Sequence, residues 1–364
     1  MIKQVKQFTV NLAAGGNVAL IALMCLSGYS DRLSPEQFPL LSCTGIVFPI
    51  LILVNLAFLL FWLTFKWRRA WIPLAGFALV FLPIRTYFPL NMSKTPPEDA
   101  LKIVSYNVCT YGGNYKYENA FDTIYNYLRD EQPDIVCIQE DVDAWREYVL
   151  QKYKQTFAYN DTTVFVYNAQ FFNAVGIHTR FPIVKKEKIT YESTANGSVA
   201  YFLKVDGDTI LVINNHLEGT HLSANDRSRY KDLLRGRMDN DTARAESRFL
   251  VHKITDAAAT RAPQAEAVHA YIEAHRQYPI IVCGDFNDPP ISYSRRTIGQ
   301  GLTDCFVARG KGLGLSYNQK GVVFRIDHIL CSDHFEPYQC IVDDKIDFSD
   351  HNPVVCWLKF KKND

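Results

Sequence analysis

Two stretches without a charged side chain, Gln7 to Ser30 and Gln37 to Phe65, constrain this chain before any other feature does. Each can supply the roughly 20 apolar residues that cross a bilayer as a helix, which satisfies its own backbone polar groups in hydrocarbon. A third run, Ala70 to Leu90, contains Pro73, Pro83 and Arg85, which a membrane helix tolerates when the charge reaches the interface. Residues 1–92 are therefore expected to form a membrane region of two or three transmembrane helices. More apolar chain follows the first stretch, rather than a small-residue cleavage site and a soluble sequence, so it reads as a span and not as a removed signal peptide. Lys3 and Lys6 precede the first span, and Lys66, Arg68 and Arg69 follow the second; positive charge favours the cytoplasmic side. With three spans the remaining chain emerges outside; with two it stays inside. The expectation is an integral protein of a bacterium-like cell membrane with an extracytoplasmic soluble part.

Composition changes around Pro96 and Pro97. Of the chain's 39 basic and 38 acidic residues, 8 and 2 precede Thr95, which leaves 31 and 36 beyond it. Residues 93–99 read as a linker and 100–364 as a soluble, slightly acidic domain. That charge balance disfavours a protein whose affinity comes from neutralising long runs of nucleic-acid phosphate. The nine cysteines contain no CxxC pair, and Cys109, Cys137 and Cys283 sit within apolar runs, so buried thiols are expected. Cys331, Cys340 and Cys356 are the candidates for one disulfide in an oxidising compartment.

Beyond Ala100 the pattern alternates between short β-branched runs and helical periodicity. Strands are expected at Leu101 to Val108, Pro133 to Glu140, Thr163 to Tyr167, Ala174 to His178, Ser198 to Val205, Thr209 to Asn215, Pro279 to Cys283, Arg325 to Cys331 and Pro353 to Phe360. Asp206-Gly207-Asp208 is a hairpin signal. Helices are expected at Tyr117 to Glu131, Asp226 to Asp239 and Asp241 to His275. The fold class is α/β (α+β), with mixed sheets covered by helices.

Polar residues of one chemical kind close these runs: Asn107 in VSYNV, Glu140 in IVCIQE, His216 in VINNH, Asp285 and Asn287 in GDFND, Asp327 in RIDHIL, and Asp350 and His351 in SDHNPV. Side chains at one end of several strands can converge on one pocket. Carboxylates with carboxamide oxygens suit a hard cation such as Mg²⁺, Mn²⁺ or Ca²⁺, and there is no cysteine cluster or HExxH helix for zinc. Without a GxxxxGK[ST] loop or a GxSxG elbow, P-loop hydrolysis and serine-esterase chemistry lose support. Attack of water on a phosphate ester fits the remaining inventory.

In this order the six motifs resemble those of the endonuclease/exonuclease/phosphatase superfamily, with its deoxyribonuclease I-like fold, over about Leu101 to Phe360. The resemblance implies a four-layer α/β sandwich of two mixed sheets flanked by helices, here preceded by transmembrane helices, with a metal site at the mouth between the sheets. It also implies that Glu140 is the principal metal ligand, supported by Asn107 and Asp350. Asp285 would orient or deprotonate water, Asn287 would hold the water and the phosphate, and His351 would lie beside the scissile phosphate with Asp327 on its other ring nitrogen. His216 would bind a phosphoryl oxygen or protonate the leaving group. A tyrosine stands there in the apurinic endonuclease branch, so His216 moves the chain toward the deoxyribonuclease, sphingomyelinase and deadenylase-like branches.

Singly, each residue has a plainer explanation: Asn107 as a turn residue, Glu140 as a solvated strand end, Asp285 and Asn287 as caps before Pro289. His178, His221, His252, His269, His275 and His334 match no motif, and alternation turns His328 away from Asp327. Arg295 and Arg296, after the GDFND loop, could contact a substrate phosphate, but a solvated loop is the simpler reading. The substrate could be a lipid headgroup, a small molecule or a nucleic acid, which leaves a phosphodiesterase, a membrane-tethered nuclease and a catalytically silent binding module as the competing functions. No obligate protein partner is implied.

Overall fold

A run such as LKIVSYN is apolar on both faces of a strand, so it needs cover on both sides of its sheet. In the computed structural model, which describes residues 2–361 except 113–118, 142–145, 167–171, 221–222, 236, 238 and 320–321, this cover comes from a second sheet on one face and helices on the other. The strands are β1 (Leu101–Asn107), β2 (Ile135–Gln139), β3 (Tyr159–Val166), β4 (Phe172–Thr179), β5 (Ile183–Ile189), β6 (Gly197–Val205) and β7 (Asp208–His216). They continue as β8 (Ile280–Asp285), β9 (Thr303–Asp304), β10 (Tyr317–Gln319), β11 (Val322–Phe324), β12 (Asp327–Cys331), β13 (Phe335–Val342) and β14 (Val354–Phe360).

One six-stranded sheet has the order β13-β14-β1-β2-β4-β3 and the other β5-β6-β7-β8-β12-β9. Both are mixed: β1 and β2 run parallel, as do β7 and β8, while the remaining neighbours run antiparallel. Alternate side chains of each strand fill different layers. Ile103, Val175, Tyr201, Val212 and Ile281 meet between the sheets. Val104, Tyr106 and Ile138 face the helices Ala120–Glu131 and Arg146–Thr156, while Leu211, Ile213 and Val282 face the 35-residue helix Asn240–Ala274, hereafter the long helix. The result is the expected four-layer sandwich with its helices outermost.

Five strands have no counterpart in the sequence expectation: the short β9, β10 and β11, and the longer β5 and β13. β5 carries Lys185, Lys186, Glu187 and Lys188 at a sheet edge, where charge blunts unwanted pairing and hides the strand's periodicity. β13 is the opposite sheet's edge and is interrupted at Pro337 by a register shift, a position that proline tolerates. Tyr117, Tyr167 and His221, which the sequence placed in a helix, a strand and among the unassigned histidines, lie outside the described residues. All nine cysteines are free, so Cys331, Cys340 and Cys356 hold no disulfide; the Cys331 sulfur instead lies 3.7 Å from that of Cys305.

The N-terminal region packs as a bundle. Two helical stretches, Gln7–Gly28 and Pro39–Phe65, are long and apolar enough to cross a membrane. The third run is a bent pair, Trp67–Leu79 and Phe81–Tyr87, broken by 62° at Val80. A polar chain joins the three: Asn17 donates to Asn55 (3.0 Å), Asn55 to the Pro73 carbonyl (3.0 Å), and the Trp62 indole to Asn17 (3.1 Å). Arg69 reaches the Val10 carbonyl and the Asn11 side chain, so the basic cluster Lys66, Arg68 and Arg69 shares one end of the bundle with the start of the first helix. Phe48 and Tyr87 meet at the other end, and this end carries the sandwich. There Arg325, 2 % exposed, donates to the carbonyls of Leu313 (2.8 Å), Thr86 and Tyr87 (3.5 Å). Asn91 adds bonds to the carbonyls of Val307 (3.0 Å) and Gly310 (2.8 Å).

Candidate active site

Register brings the polar strand ends together. Asp285 at the end of β8 lies directly across from His216 on β7 and Asp327 on β12, so three chemically active side chains share one level of one sheet. In the facing sheet Asn107 pairs with Gln139, which sets Glu140 one residue beyond the same margin. His351 follows between the sheets, just before β14. The turns after the strands are conformationally demanding. Glu140 and Asn287 adopt φ of 57° and 52°, a left-handed region that non-glycine residues avoid and that is over-represented at functional sites. Gly284 has φ of 130°, and a Cβ there would overlap the Asn215 backbone, which explains the glycine of GDFND.

Asp285 is the hub. Its Oδ1 accepts the Asn287 backbone N–H (2.8 Å), and its Oδ2 accepts from the side chains of Asn107 (3.1 Å) and Asn287 (3.3 Å). The same oxygen faces Nε2 of His216 at 3.6 Å and Nε2 of His351 at 3.7 Å. Burial, and then the charge of Asp327, raise the Asp285 carboxyl above its ordinary range, against the pull of the two imidazoles. Asn107 also donates to Glu140 Oε1 (3.3 Å), and its own oxygen accepts the Cys109 N–H (3.0 Å), so it bridges the two sheets' carboxylates.

The two histidines are in opposite electrical states. For His351, burial opposes protonation, but Asp327 and Asp285 outweigh it and raise the imidazole to about 10. Its Nδ1–H donates to Asp327 Oδ2 at 2.8 Å, which leaves Nε2 aimed at Asp285. For His216, burial dominates and lowers the pKa. Asn173 donates to its Nδ1 (3.1 Å), which puts the ring hydrogen on Nε2, toward the cavity. A neutral N–H donor and an imidazolium therefore flank one carboxylate.

Asp285, Asp327 and His351 place donor atoms within 4.8 Å of one another. Asp327 and His351 are hydrogen-bonded to each other (2.8 Å), so the trio reads as a carboxylate–imidazole pair facing Asp285 rather than a cation cage. Glu140 and Asp350 have the better claim. Both line the cavity that contains Asp285, Asn287, His216 and His351. Burial, and then the negative charge of Asp350, push the Glu140 carboxyl up to about 7, the situation that a bound cation relieves. The donor set is oxygen and nitrogen, with carboxylates nearest, and it fits a hard divalent ion.

All eight residues expected from the sequence thus lie at one strand margin. Asp327 is buried behind His351, and its second oxygen has no protein partner. His328 is turned away, and its Nε2–H donates to the Asp288 carbonyl (3.2 Å). Arg295 is not solvated as expected, because it pairs with Asp304 at 2.5 Å. Arg296 faces Asp31 of the N-terminal region at 3.7 Å. Nothing in the sequence marks Asn173, Tyr317, whose ring packs edge-on against His351 at 5.0 Å, or the buried Arg261–Asp288 pair (2.7 Å) that anchors the loop after β8. Asn173 and Tyr317 belong to no recognisable motif, and only the three-dimensional packing brings them to the histidines.

Comparison with known proteins gives two family matches. Residues 104–351 match the family described as Endonuclease/Exonuclease/phosphatase family, and residues 10–87 match a domain of unknown function, DUF8431. No curated protein matches the chain. Among solved structures, a humanized D. rerio TDP2 superposes with a TM-score of 0.51 at 17% identity, covering 72% of this chain and 100% of that one. The human Nocturnin catalytic domain with a bound sulfate anion gives 0.50 at 16%, covering 74% and 100%. D. rerio TDP2 complexed with a single-strand DNA product gives 0.50 at 17%, covering 72% and 100%. At these identities the likeness speaks for the fold.

Proposed function

Because this chain belongs to the endonuclease/exonuclease/phosphatase family, we propose that it is a divalent-metal-dependent phosphodiesterase tethered to a membrane. The observation that carries this reading is the shared level of His216, Asp285 and Asp327 across three neighbouring strands, with Glu140 and Asn107 facing them from the other sheet. Glu140 and Asp350 would hold the cation, which supplies stabilisation of charge developing on the phosphoryl oxygens. Asn107 and Asn287 fix the carboxylates, and Asp285 accepts a proton from the attacking water.

Water forms the new P–O bond while the bond to the leaving oxygen breaks. The imidazolium of His351 faces the growing negative charge and can return a proton to the leaving oxygen. Asp327 holds the tautomer and offsets the ring's charge. His216, neutral with its hydrogen on Nε2, donates to a phosphoryl oxygen. The products are a phosphate monoester and an alcohol.

The apolar helices support the tether, and the bundle supports the three-span orientation. The basic cluster lies at the end away from the sandwich, so a cytoplasmic cluster places the sandwich outside. The test is a phosphoester panel hydrolysed by the full chain with metal removed and restored. Restoration of diester cleavage supports the proposal. Preferential nicking of plasmid DNA would instead favour a nuclease, and inactivity toward every ester would favour a binding module.

A further inference from the structure

The catalytic cavity, about 400 Å³, has two chemically different walls. One is the polar margin described above. The other is apolar and contains Leu250 and Ile254 of the long helix, Phe324 of β11, Ile326 just before β12, and Ile46, which comes from the N-terminal region. Ile46 lies near the start of the second membrane-length stretch, Pro39–Phe65, in the 3-10 turn Cys43–Val47 that precedes the helix Phe48–Phe65, so the proposed anchor contributes a side chain to the catalytic pocket. This turn is seated firmly. Its Gly45 approaches Ile291 so closely that a Cβ would overlap that residue's carbonyl, and Cys43 and Ile46 line a second small cavity with Ile254 and Ile291.

Apolar surface continues outward from this wall. Val47, next to Ile46, is 44% exposed, and Phe249 and Val251, on either side of Leu250, are 42% and 43% exposed. The cavity offers little to a polyanion: its described lining residues include no lysine, and the single arginine, Arg261, is committed to Asp288 (2.7 Å) and the Glu218 carbonyl (2.9 Å).

We propose that the substrate is a membrane lipid phosphodiester, with its phosphorus at Asp285 and His351 and the start of its apolar chain against Ile46, Leu250 and Ile254. This rests on the phosphodiesterase proposal and adds the substrate class. The site opens beside the start of the second membrane-length stretch, so an acyl chain leaving the cavity passes along the anchor toward the bilayer. Hydrolysis consumes one water per P–O ester bond broken and needs no further reactant.

The experiment uses the full chain in amphipol with Mg²⁺ and a series of alkyl p-nitrophenyl phosphodiesters, from methyl to octyl, below their aggregation concentrations. Burial of apolar surface predicts a rise in kcat/KM of up to about fourfold per methylene, and at least about tenfold from butyl to octyl. The Ile46→Ser and Ile254→Ser variants are expected to flatten this dependence through KM. If the wild type cleaves the methyl ester but gains nothing with chain length, or prefers the p-nitrophenyl ester of thymidine monophosphate to the octyl ester, the lipid proposal is overturned while phosphodiesterase activity stands. If no diester is cleaved, the phosphodiesterase proposal fails and the lipid proposal falls with it. The wild-type series decides the matter even if a variant does not fold.

Discussion

Replacing Asp327 with asparagine isolates what the carboxylate does for His351. The two groups are joined by a 2.8 Å bond, and each residue is less than 5 % exposed, so water provides little substitute. The amide is nearly isosteric with the carboxylate but uncharged, and it can also present N–H₂ to Nδ1 and impose the wrong tautomer. A hydrogen bond to a charged group contributes about 1.5–3 kcal/mol, which at roughly 1.4 kcal/mol per decade corresponds to a loss of about 10- to 150-fold in kcat. Because Asp327 sits behind the imidazole and does not line the cavity, KM should change by less than about threefold, a bound that follows from its having no substrate contact. Steady-state kinetics of Asp327→Asn on bis(p-nitrophenyl) phosphate, with thermal melting as a folding control, measures this directly. A folded variant that keeps kcat within about threefold of wild type would refute the role assigned to the pair.

Other consequences are accessible to simple measurements. Gly284→Ala places a methyl group in the Asn215 backbone at φ of 130° and should destabilise the fold by about 3 kcal/mol or more, read as a lowered melting temperature. Arg325→Met removes the donor from the Leu313, Thr86 and Tyr87 carbonyls. It should cost about 3 kcal/mol and speed amide hydrogen exchange around residues 86–92; unchanged exchange would contradict its anchoring role. Asn55→Leu breaks the polar chain between Asn17 and Pro73 and should lower stability in amphipol by about 1 kcal/mol. A reporter fused after Asp364 should be active only outside the cytoplasm, and cytoplasmic activity would overturn the three-span orientation.

The sequence revealed most where physical constraints left few alternatives. β1, β2, β7 and β8 are buried on both faces, so their apolar runs stand out, and the polar residue ending each run is conspicuous against them. β5 and β13 were invisible because edge strands need charge or proline rather than alternation. Asn173, Tyr317 and Ile46 were illegible for a different reason. Each reaches the site from an element whose own sequence looks like ordinary loop, strand or membrane segment, and only packing turns it toward the cavity. The third apolar run was ambiguous because Pro83 and Arg85 follow the bend at Val80, while its place in the bundle is set by Asn55 reaching the Pro73 carbonyl.

The central claim is that Glu140 and Asp350, in the cavity that also contains Asp285 and His351, hold one divalent cation that phosphoester hydrolysis requires. Calorimetric titration of Mn²⁺ into the chelator-treated full chain and into Glu140→Gln, paired with hydrolysis of bis(p-nitrophenyl) phosphate before and after Mg²⁺ is restored, tests it most directly. Wild type should bind the ion and recover activity, whereas Glu140→Gln should lose both. Hydrolysis that survives chelation, or undiminished binding and turnover in Glu140→Gln, would contradict the account.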